Sequence, residues 1–248
     1  MKRTRKLLVM ALAIAMLGLV PQVAFAQGVP DRDHPTVEEV EHPHSIGEAK
    51  KRAAAAIAKR LVALGRIDAR VKTSSHITGA HKDRLIGDYA TARAGLSALG
   101  RQIQDAETQE ELRELIPLIA TDYRVYLVIL PKSHEVLASD RMADGVVRLT
   151  GAADAVLAAI ERAEGAGFNM EEAREFLRVA RSEIDAVSNG AVPVADQVIG
   201  LSAADWEEPA KSMLEAGKAA LEQGRRDIHE AVDALKSAHR AIKEAVGD

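Results

Sequence analysis

Apolar side chains recur every three or four residues through most of the chain, which is the spacing of one face of an α-helix. Clusters of Ser, Thr and Gly interrupt this pattern and divide it into segments. The first two segments predict helices at about 46–71 and 81–104. Their apolar faces are Ile57, Leu61, Leu64, Ile67 and Val71 in the first, and Leu85, Tyr89, Ala92, Leu96, Leu99 and Ile103 in the second.

The last segment has the most regular pattern, with one large and one small residue repeating every seven positions. Small residues let a partner helix approach closely, while the large ones fill the spaces beside them. This segment therefore predicts a long helix packed tightly along its length. The large residues are Leu214, Leu221, Ile228, Leu235 and Ile242, and the small ones are Gly217, Gly224, Ala231, Ala238 and Ala245.

Composition agrees with the helical pattern. The 248 residues are 47% hydrophobic but only 3% aromatic, so alanine and the aliphatic residues must carry the packing. Alanine is the strongest helix former, whereas sheet proteins need more β-branched and aromatic residues. We predict an all-α fold for residues 46–248, an elongated antiparallel helical bundle or coiled coil of about five or six helices.

One stretch, TDYRVYLVILPKSHEV at 121–136, differs from its surroundings in its tyrosines and its run of branched residues. Its apolar positions continue the spacing of the preceding helix, which opens with a capping box at Thr108 and Glu111. We therefore expect it to extend that helix rather than form a strand, although Pro117 should kink or interrupt it. Because the register changes after Pro131, we expect a kink or reversal near 131–142. The predicted continuous seam is Leu112, Ile116, Ile119, Tyr123, Tyr126 and Leu130.

This stretch, between two Ala-rich helical halves, resembles a segment found in secreted, alanine-rich coiled-coil proteins of high-GC actinobacteria. The group has no established activity, so the resemblance implies no catalytic residues. The segment LIPLIA just upstream departs from the group's pattern. The residues that carry the resemblance are Asp122, Tyr123, Arg124, Val125, Tyr126, Leu130, Pro131, Lys132, His134, Leu137, Asp140 and Arg141.

The N-terminus has the features of a secretory signal peptide. Four basic residues precede the apolar run 7–20, and Ala24-Phe25-Ala26 is a small-residue cleavage motif, so we predict cleavage after Ala26. Residues 27–45, rich in acids and prolines, predict a flexible leader. The chain remaining after cleavage has 29 Lys and Arg against 37 Asp and Glu, a net charge of −8. Such acidity argues against nucleic-acid binding, and the protein is expected to be secreted or in the cell envelope.

Near the expected kink, polar and aromatic residues are concentrated enough to line a small ligand pocket, since helical bundles place such sites between facing helices. The alternative is that the tyrosines fill the seam and the charges are solvated or paired. No metal site is predicted, because the histidines lack the helical spacing of a preformed site. The candidate ligand-binding residues are Tyr123, Arg124, Tyr126, Lys132, His134, Asp140 and Arg141.

The first helix is locally basic, in contrast to the acidic chain. A basic amphipathic helix can bind an anionic membrane or wall polymer. The alternative is that acids at 105–114 neutralise it across the bundle. The candidate residues for binding an anionic surface are Lys50, Lys51, Arg52, Lys59 and Arg60.

No catalytic motif is present, and the chain has no cysteine, so thiolate catalysis and disulfides are excluded. We expect a non-enzymatic exported protein without a cofactor, acting as an envelope-associated or extracellular scaffold or interaction module. The alternative is a binding bundle for a small ligand or anionic polymer near residues 123–141. Expected partners are another protein, an anionic wall or membrane surface, or a second copy paired through exposed Ala and Leu seams.

Overall fold

The fold is all-α, as predicted. The computed structural model describes residues 45–247, and within this range there are helices and turns but no strand. The predicted signal peptide and nearly all of the predicted leader lie outside the described residues. The α-helices, in chain order, are α1 (Ile46–Thr73), α2 (Gly79–Asp105), α3 (Gln109–Thr121), α4 (Leu130–Gly165), α5 (Glu171–Gly190), α6 (Val194–Val198) and α7 (Ala210–Val246).

Helices α1, α2 and α3 pack against one another. Side-chain caps define where they begin: Ser45 accepts a hydrogen bond from the Glu48 amide, and Thr108 and Glu111 form the predicted capping box of α3. Lys50 of α1 reaches the Gln104 carbonyl near the end of α2, so the two helices are antiparallel. All six predicted face residues of α2 are buried, and the prediction for this helix is confirmed.

Helices α4, α5 and α7 form the larger part of the core. Arg174 and Arg181 of α5 pair with Glu164 and Asp154 of α4 at 2.6 and 3.0 Å, in the order expected of an antiparallel hairpin. Helix α7 packs along both, most extensively along α5. Leucine, isoleucine, valine and many alanines fill this core, because alanine lets the helix axes approach closely.

The alternation of large and small residues on α7 works as predicted. A methyl group at Gly224 would lie 2.5 Å from the Ala191 side chain and 3.3 Å from Met142 Sδ, and one at Gly217 would overlap the Glu135 carboxylate. Both glycines are therefore sites where a neighbouring helix touches the α7 backbone. Since Glu135 and Met142 are seven residues apart, as are the two glycines, α4 and α7 run parallel and in register.

The stretch at 121–131 is helical rather than extended, but the predicted continuous seam is wrong. Helix α3, which contains Pro117, ends at Thr121, and Arg124 has a left-handed backbone with φ of 38°. The chain re-enters a helix in a different phase, with Val125 and Val128 buried while Tyr126 is 47% exposed. The break thus lies at Asp122–Arg124, where the expectation of an uninterrupted helix fails.

Of the kink or reversal predicted at 131–142, the reversal is wrong, because α4 continues as one helix from Leu130 to Gly165. Pro131 stands in the first turn of α4, and a π-helical turn at Val125–Ile129 immediately precedes this helix. Proline lacks an N–H and its ring would clash with the carbonyl four residues earlier. The wider turn accommodates both effects, with the Leu130 amide bonded to the Val125 carbonyl.

Candidate functional site

The structure disperses the aromatic part of the predicted ligand patch. Tyr123 packs its ring on Gly95 of α2, where a methyl group would lie 2.5 Å from the ring. The Arg124 guanidinium stacks on Trp206, 5.8 Å from the ring centre. Tyr126 instead meets Arg60 of α1, whose guanidinium lies 5.3 Å from its ring centre. These three side chains contact different elements and do not converge on one cavity.

Lys132 and Asp140 of the same patch have internal partners. Lys132 is 2% exposed, and its Nζ donates to Asp88 Oδ2 and to the Leu201 carbonyl, both at 2.6 Å. Burial, with a smaller contribution from the positive charge of Arg70, lowers the pKa of His134 and favours its neutral form. Arg141 is half-buried on α4. The patch therefore connects helices within the fold.

Two serines on the same part of α4 bond to neighbouring helices. Ser133 Oγ accepts from Tyr89 Oη at 2.7 Å, and burial raises the pKa of that phenol to about 12. Ser139 Oγ donates to the Val192 carbonyl and accepts from the Ala195 amide, at 2.7 and 3.1 Å. These contacts hold α4 against α2 and α6 with satisfied buried polar groups.

His81 links three helices through carboxylates. Its Nδ1 lies 2.9 Å from Asp140 Oδ2, and its Nε2 lies 3.1 Å from Asp196 Oδ1. Asp140 also accepts from the Thr78 amide at 2.9 Å. Burial alone would lower the pKa of His81, but the two carboxylates outweigh it and raise this pKa. With a carboxylate at each ring nitrogen, the imidazolium is the form that makes both bonds.

Glu135 is the least satisfied polar residue of α4. It is 7% exposed, packs against Gly217 of α7, and its buried Oε2 has no hydrogen-bond partner within the described residues. Burial raises its pKa to about 8, although Lys218 lowers it in part. The carboxyl is thus mainly protonated at neutral pH, because burial disfavours the charged form.

Sequence reasoning missed His81 as a link between helices and Glu135 as a buried carboxyl. His81 follows the N-cap residue Thr78 at the start of α2, and no pattern in the sequence marks it as a link to other helices. Glu135 lies on α4 among other charged residues, so nothing in the local pattern marks it as buried. Its one signal is Gly217, seven residues before Gly224, because a small residue in a packed seam leaves room for a neighbour's side chain.

The basic residues of α1 keep an exposed face. Lys51, Arg52 and Lys59 are exposed, whereas Lys50 donates to the Gln104 carbonyl at 2.6 Å. Arg60 is half-buried against Tyr126, and burial lowers its pKa. Within residues 45–247, no ion pair joins Lys50, Lys59 or Arg60 to an acid at 105–114, the compensation considered as the alternative. Part of the basic surface predicted to bind an anionic partner therefore lies at the protein's exterior.

An apolar groove runs between α1 and α2 beside these residues, with a volume of about 410 Å³. Both helices contribute small residues to the groove, namely Ala54, Ala58 and Gly100. A methyl group at Gly100 would lie 3.4 Å from the Ile57 side chain. The groove is lined by Ala54, Ile57, Ala58, Leu61, Leu96, Ser97, Gly100, Arg101, Ile103, Gln104 and Asp105.

Within residues 45–247, no group of three or more His, Cys, Asp or Glu side chains is arranged to hold a metal ion. In the same range, no helix has the length and apolar character needed to cross a lipid bilayer. Comparison of the chain with protein-family models, with curated proteins and with solved structures finds no match.

Proposed function

We propose that this protein is a non-enzymatic, exported interaction module that acts at the cell envelope or outside the cell. Two observations support this most: basic side chains of α1 are exposed, and an apolar groove lies open between α1 and α2. Apolar depressions of this kind are typical of sites that bind other macromolecules. Export is supported by the basic, apolar and small-residue sections of residues 1–26.

The arrangement of the buried polar residues also favours this function over a ligand pocket at 123–141. Lys132 and Asp140 already bond to other helices at 2.6 to 2.9 Å, so a ligand would have to displace those partners. Buried charged groups that lose their partners cost several kcal/mol. The tyrosines of that segment also contact separate helices. Binding in the groove between α1 and α2 would displace none of these internal partners.

The experiment is a fractionation of the producing cell followed by binding of purified protein to washed wall and membrane fractions. We expect the protein in the medium or in the envelope, and salt-sensitive binding of the purified form to the envelope, because exposed charges are screened by salt. The double charge reversal Lys51→Glu/Lys59→Glu should weaken this binding. Recovery from the cytosol alone would contradict the proposal, and absence of envelope binding at low salt would contradict action at the envelope.

A further inference from the structure

Helix α6 packs where α4 and α7 meet. It contacts both helices and is joined to the rest of the chain by short non-helical links at 191–193 and 199–201. A methyl group at Gly217 of α7 would lie 3.1 Å from the Val194 side chain of α6 and would also overlap the Glu135 carboxyl of α4. Val194 and this carboxyl therefore meet at one point on α7, and α6 helps to enclose the carboxyl. The buried residues of α6 are Val194, Ala195 and Val198.

Polar contacts fasten α6 to two other helices. Ser139 of α4 accepts a hydrogen bond from the Ala195 amide at 3.1 Å. On the exposed side of α6, Asp196 Oδ1 lies 3.1 Å from His81 Nε2 of α2, and the side chain of Asp196 is 83% exposed. The other ring nitrogen, Nδ1, lies 2.9 Å from Asp140 Oδ2 of α4. His81 is thus the polar link between α2 and α6, with a carboxylate at each ring nitrogen.

The protonation state of His81 decides whether this link holds. An imidazolium donates from both nitrogens, whereas a neutral imidazole has one N–H and one lone pair. Asp140 is 6% exposed and also accepts from the Thr78 amide, so the remaining proton stays at Nδ1, where it satisfies a buried carboxylate. Nε2 then presents a lone pair to Asp196, whose exposed carboxylate is solvated by water instead. Deprotonation of His81 therefore releases α6 while the bond to α4 is kept.

Glu135 responds to pH in the same direction as His81. Its Oε2 has no hydrogen-bond partner within residues 45–247, and burial raises its pKa to about 8. The charged group that faces it is Lys218 of α7, which lowers this pKa in part. Once ionised, the carboxylate is more stable in contact with water than in an apolar enclosure. Movement of α6, together with Val194, admits water, so loss of this proton also favours release of α6.

We propose that α6 is a pH-sensitive lid, closed on α4 and α7 while His81 is charged and Glu135 is neutral, and open once both have lost a proton. The contribution of His81 to the closed state is present below its ordinary pKa of 6.5 and is lost as the pH rises through its raised pKa. That of Glu135 is present in full below pH 4.5 and is lost by about pH 8. Opening exposes apolar surface of α6 and of α7 at Gly217. The lid goes beyond the proposed function and does not depend on what α1 binds.

The test measures the accessibility of a thiol beneath the lid, since the chain contains no cysteine of its own. Val198→Cys places the thiol on the buried face of α6, and Val156→Cys places a reference thiol in the core beside α4, at positions 0% and 2% exposed. Ala195→Cys is a second probe on α6. The protection of a thiol is the labelling rate of a short cysteine peptide divided by that of the variant at the same pH, which corrects for thiolate formation. Circular dichroism checks that each variant is folded.

We expect the thiol of Val198→Cys to be at least about tenfold less protected than that of Val156→Cys at pH 8, because the lid opens without global unfolding. Its protection should fall by about tenfold or more between pH 6.5 and pH 8, since Glu135 alone shifts the equilibrium by up to about tenfold per pH unit below its raised pKa. Adding Glu135→Met/Asp196→Asn should reduce this change to less than about threefold, because neither titration is then coupled to α6.

The matched control is His76→Gln, because His76 forms a second histidine–carboxylate pair with α4, 3.1 Å from Asp144. It should leave the pH dependence of the Val198→Cys thiol unchanged. Equal protection of the two thiols at every pH would show that only global unfolding exposes α6, and would overturn the inference. Protection that does not vary with pH, or a pH dependence that persists in the double variant, would also overturn it. Loss of the pH dependence in His76→Gln would contradict control by His81 and Glu135.

Discussion

Replacing Glu135 by methionine should stabilise this protein at neutral pH. The carboxyl is 7% exposed, its Oε2 has no hydrogen-bond partner within residues 45–247, and its pKa is raised from 4.5 to about 8 by burial. At pH 7 the unfolded chain leaves this group ionised, whereas the folded chain keeps it protonated. Between the unfolded and the folded pKa, each pH unit lowers the free energy of unfolding by about 1.4 kcal/mol. At pH 7 the protein is therefore on the order of 3 kcal/mol less stable than it would be with this carboxyl protonated in both states.

Methionine has a similar unbranched shape and does not ionise, so Glu135→Met removes this cost with little change in packing against Gly217. We expect a gain of roughly 2–3 kcal/mol in the free energy of unfolding at pH 7, or about 4–12 °C in Tm. The same substitution at Glu215, which is exposed on α7, is the control and should change stability by less than about 0.5 kcal/mol.

The pH dependence provides the sharper test. A carboxyl with a raised folded pKa contributes its full stability below the unfolded pKa of about 4.5, and that contribution is lost as the pH rises to about 8. Urea unfolding followed by circular dichroism between pH 5 and pH 8.5 should therefore show a decline in the native protein that is reduced in Glu135→Met. A variant that is less stable than the native protein at pH 7, with an unchanged pH profile, would refute the reasoning.

Four other substitutions test the packing and the polar contacts by urea unfolding. Gly224→Ala should destabilise by about 1–3 kcal/mol through overlap with a neighbouring helix, whereas Gly151→Ala, with open space around it, should stabilise by about 0.5–1 kcal/mol; equal effects would contradict the close contact. His81→Gln should destabilise more at pH 5.5 than at pH 8.5, because a raised histidine pKa contributes stability below pH 6.5 that disappears as the pH rises through the folded pKa; a pH-independent loss would count against the two carboxylate bonds. Ser139→Ala leaves a buried amide and carbonyl without their partner and should cost about 1–3 kcal/mol, so a neutral result would exclude that role.

Helix positions were the part of the fold most open to prediction from sequence. The face of α2, the capping box at Thr108 and the small positions of α7 all follow from local spacing, because a helix repeats every 3.6 residues wherever it occurs. The break at Asp122–Arg124 was missed, since the apolar spacing passes through it unchanged while Arg124 adopts a left-handed backbone. The spacing of apolar residues gives no information about a single positive φ angle.

The candidate surface was predicted in part. The basic character of α1 can be predicted from the sequence. The groove beside it depends on how α2 lies against α1, and therefore on contacts between residues distant in the chain, such as Lys50 and Gln104. The predicted patch at 123–141 gathers residues that are close in sequence but face different helices. Tyr123 and Tyr126 are three residues apart, yet one contacts α2 and the other contacts α1.

The sequence alone determined that this chain is helical, roughly where α1 and α2 begin and end, and which seam of α7 is small, because each of these depends on residues within a few turns of one another. Only the tertiary structure decided that Lys132, Glu135 and Asp140 are buried, that His81 connects three helices, and that α1 and α2 leave a groove open. These features depend on which helices meet and in which register, and burial of a charged side chain is set by neighbours that lie tens of residues away in the chain.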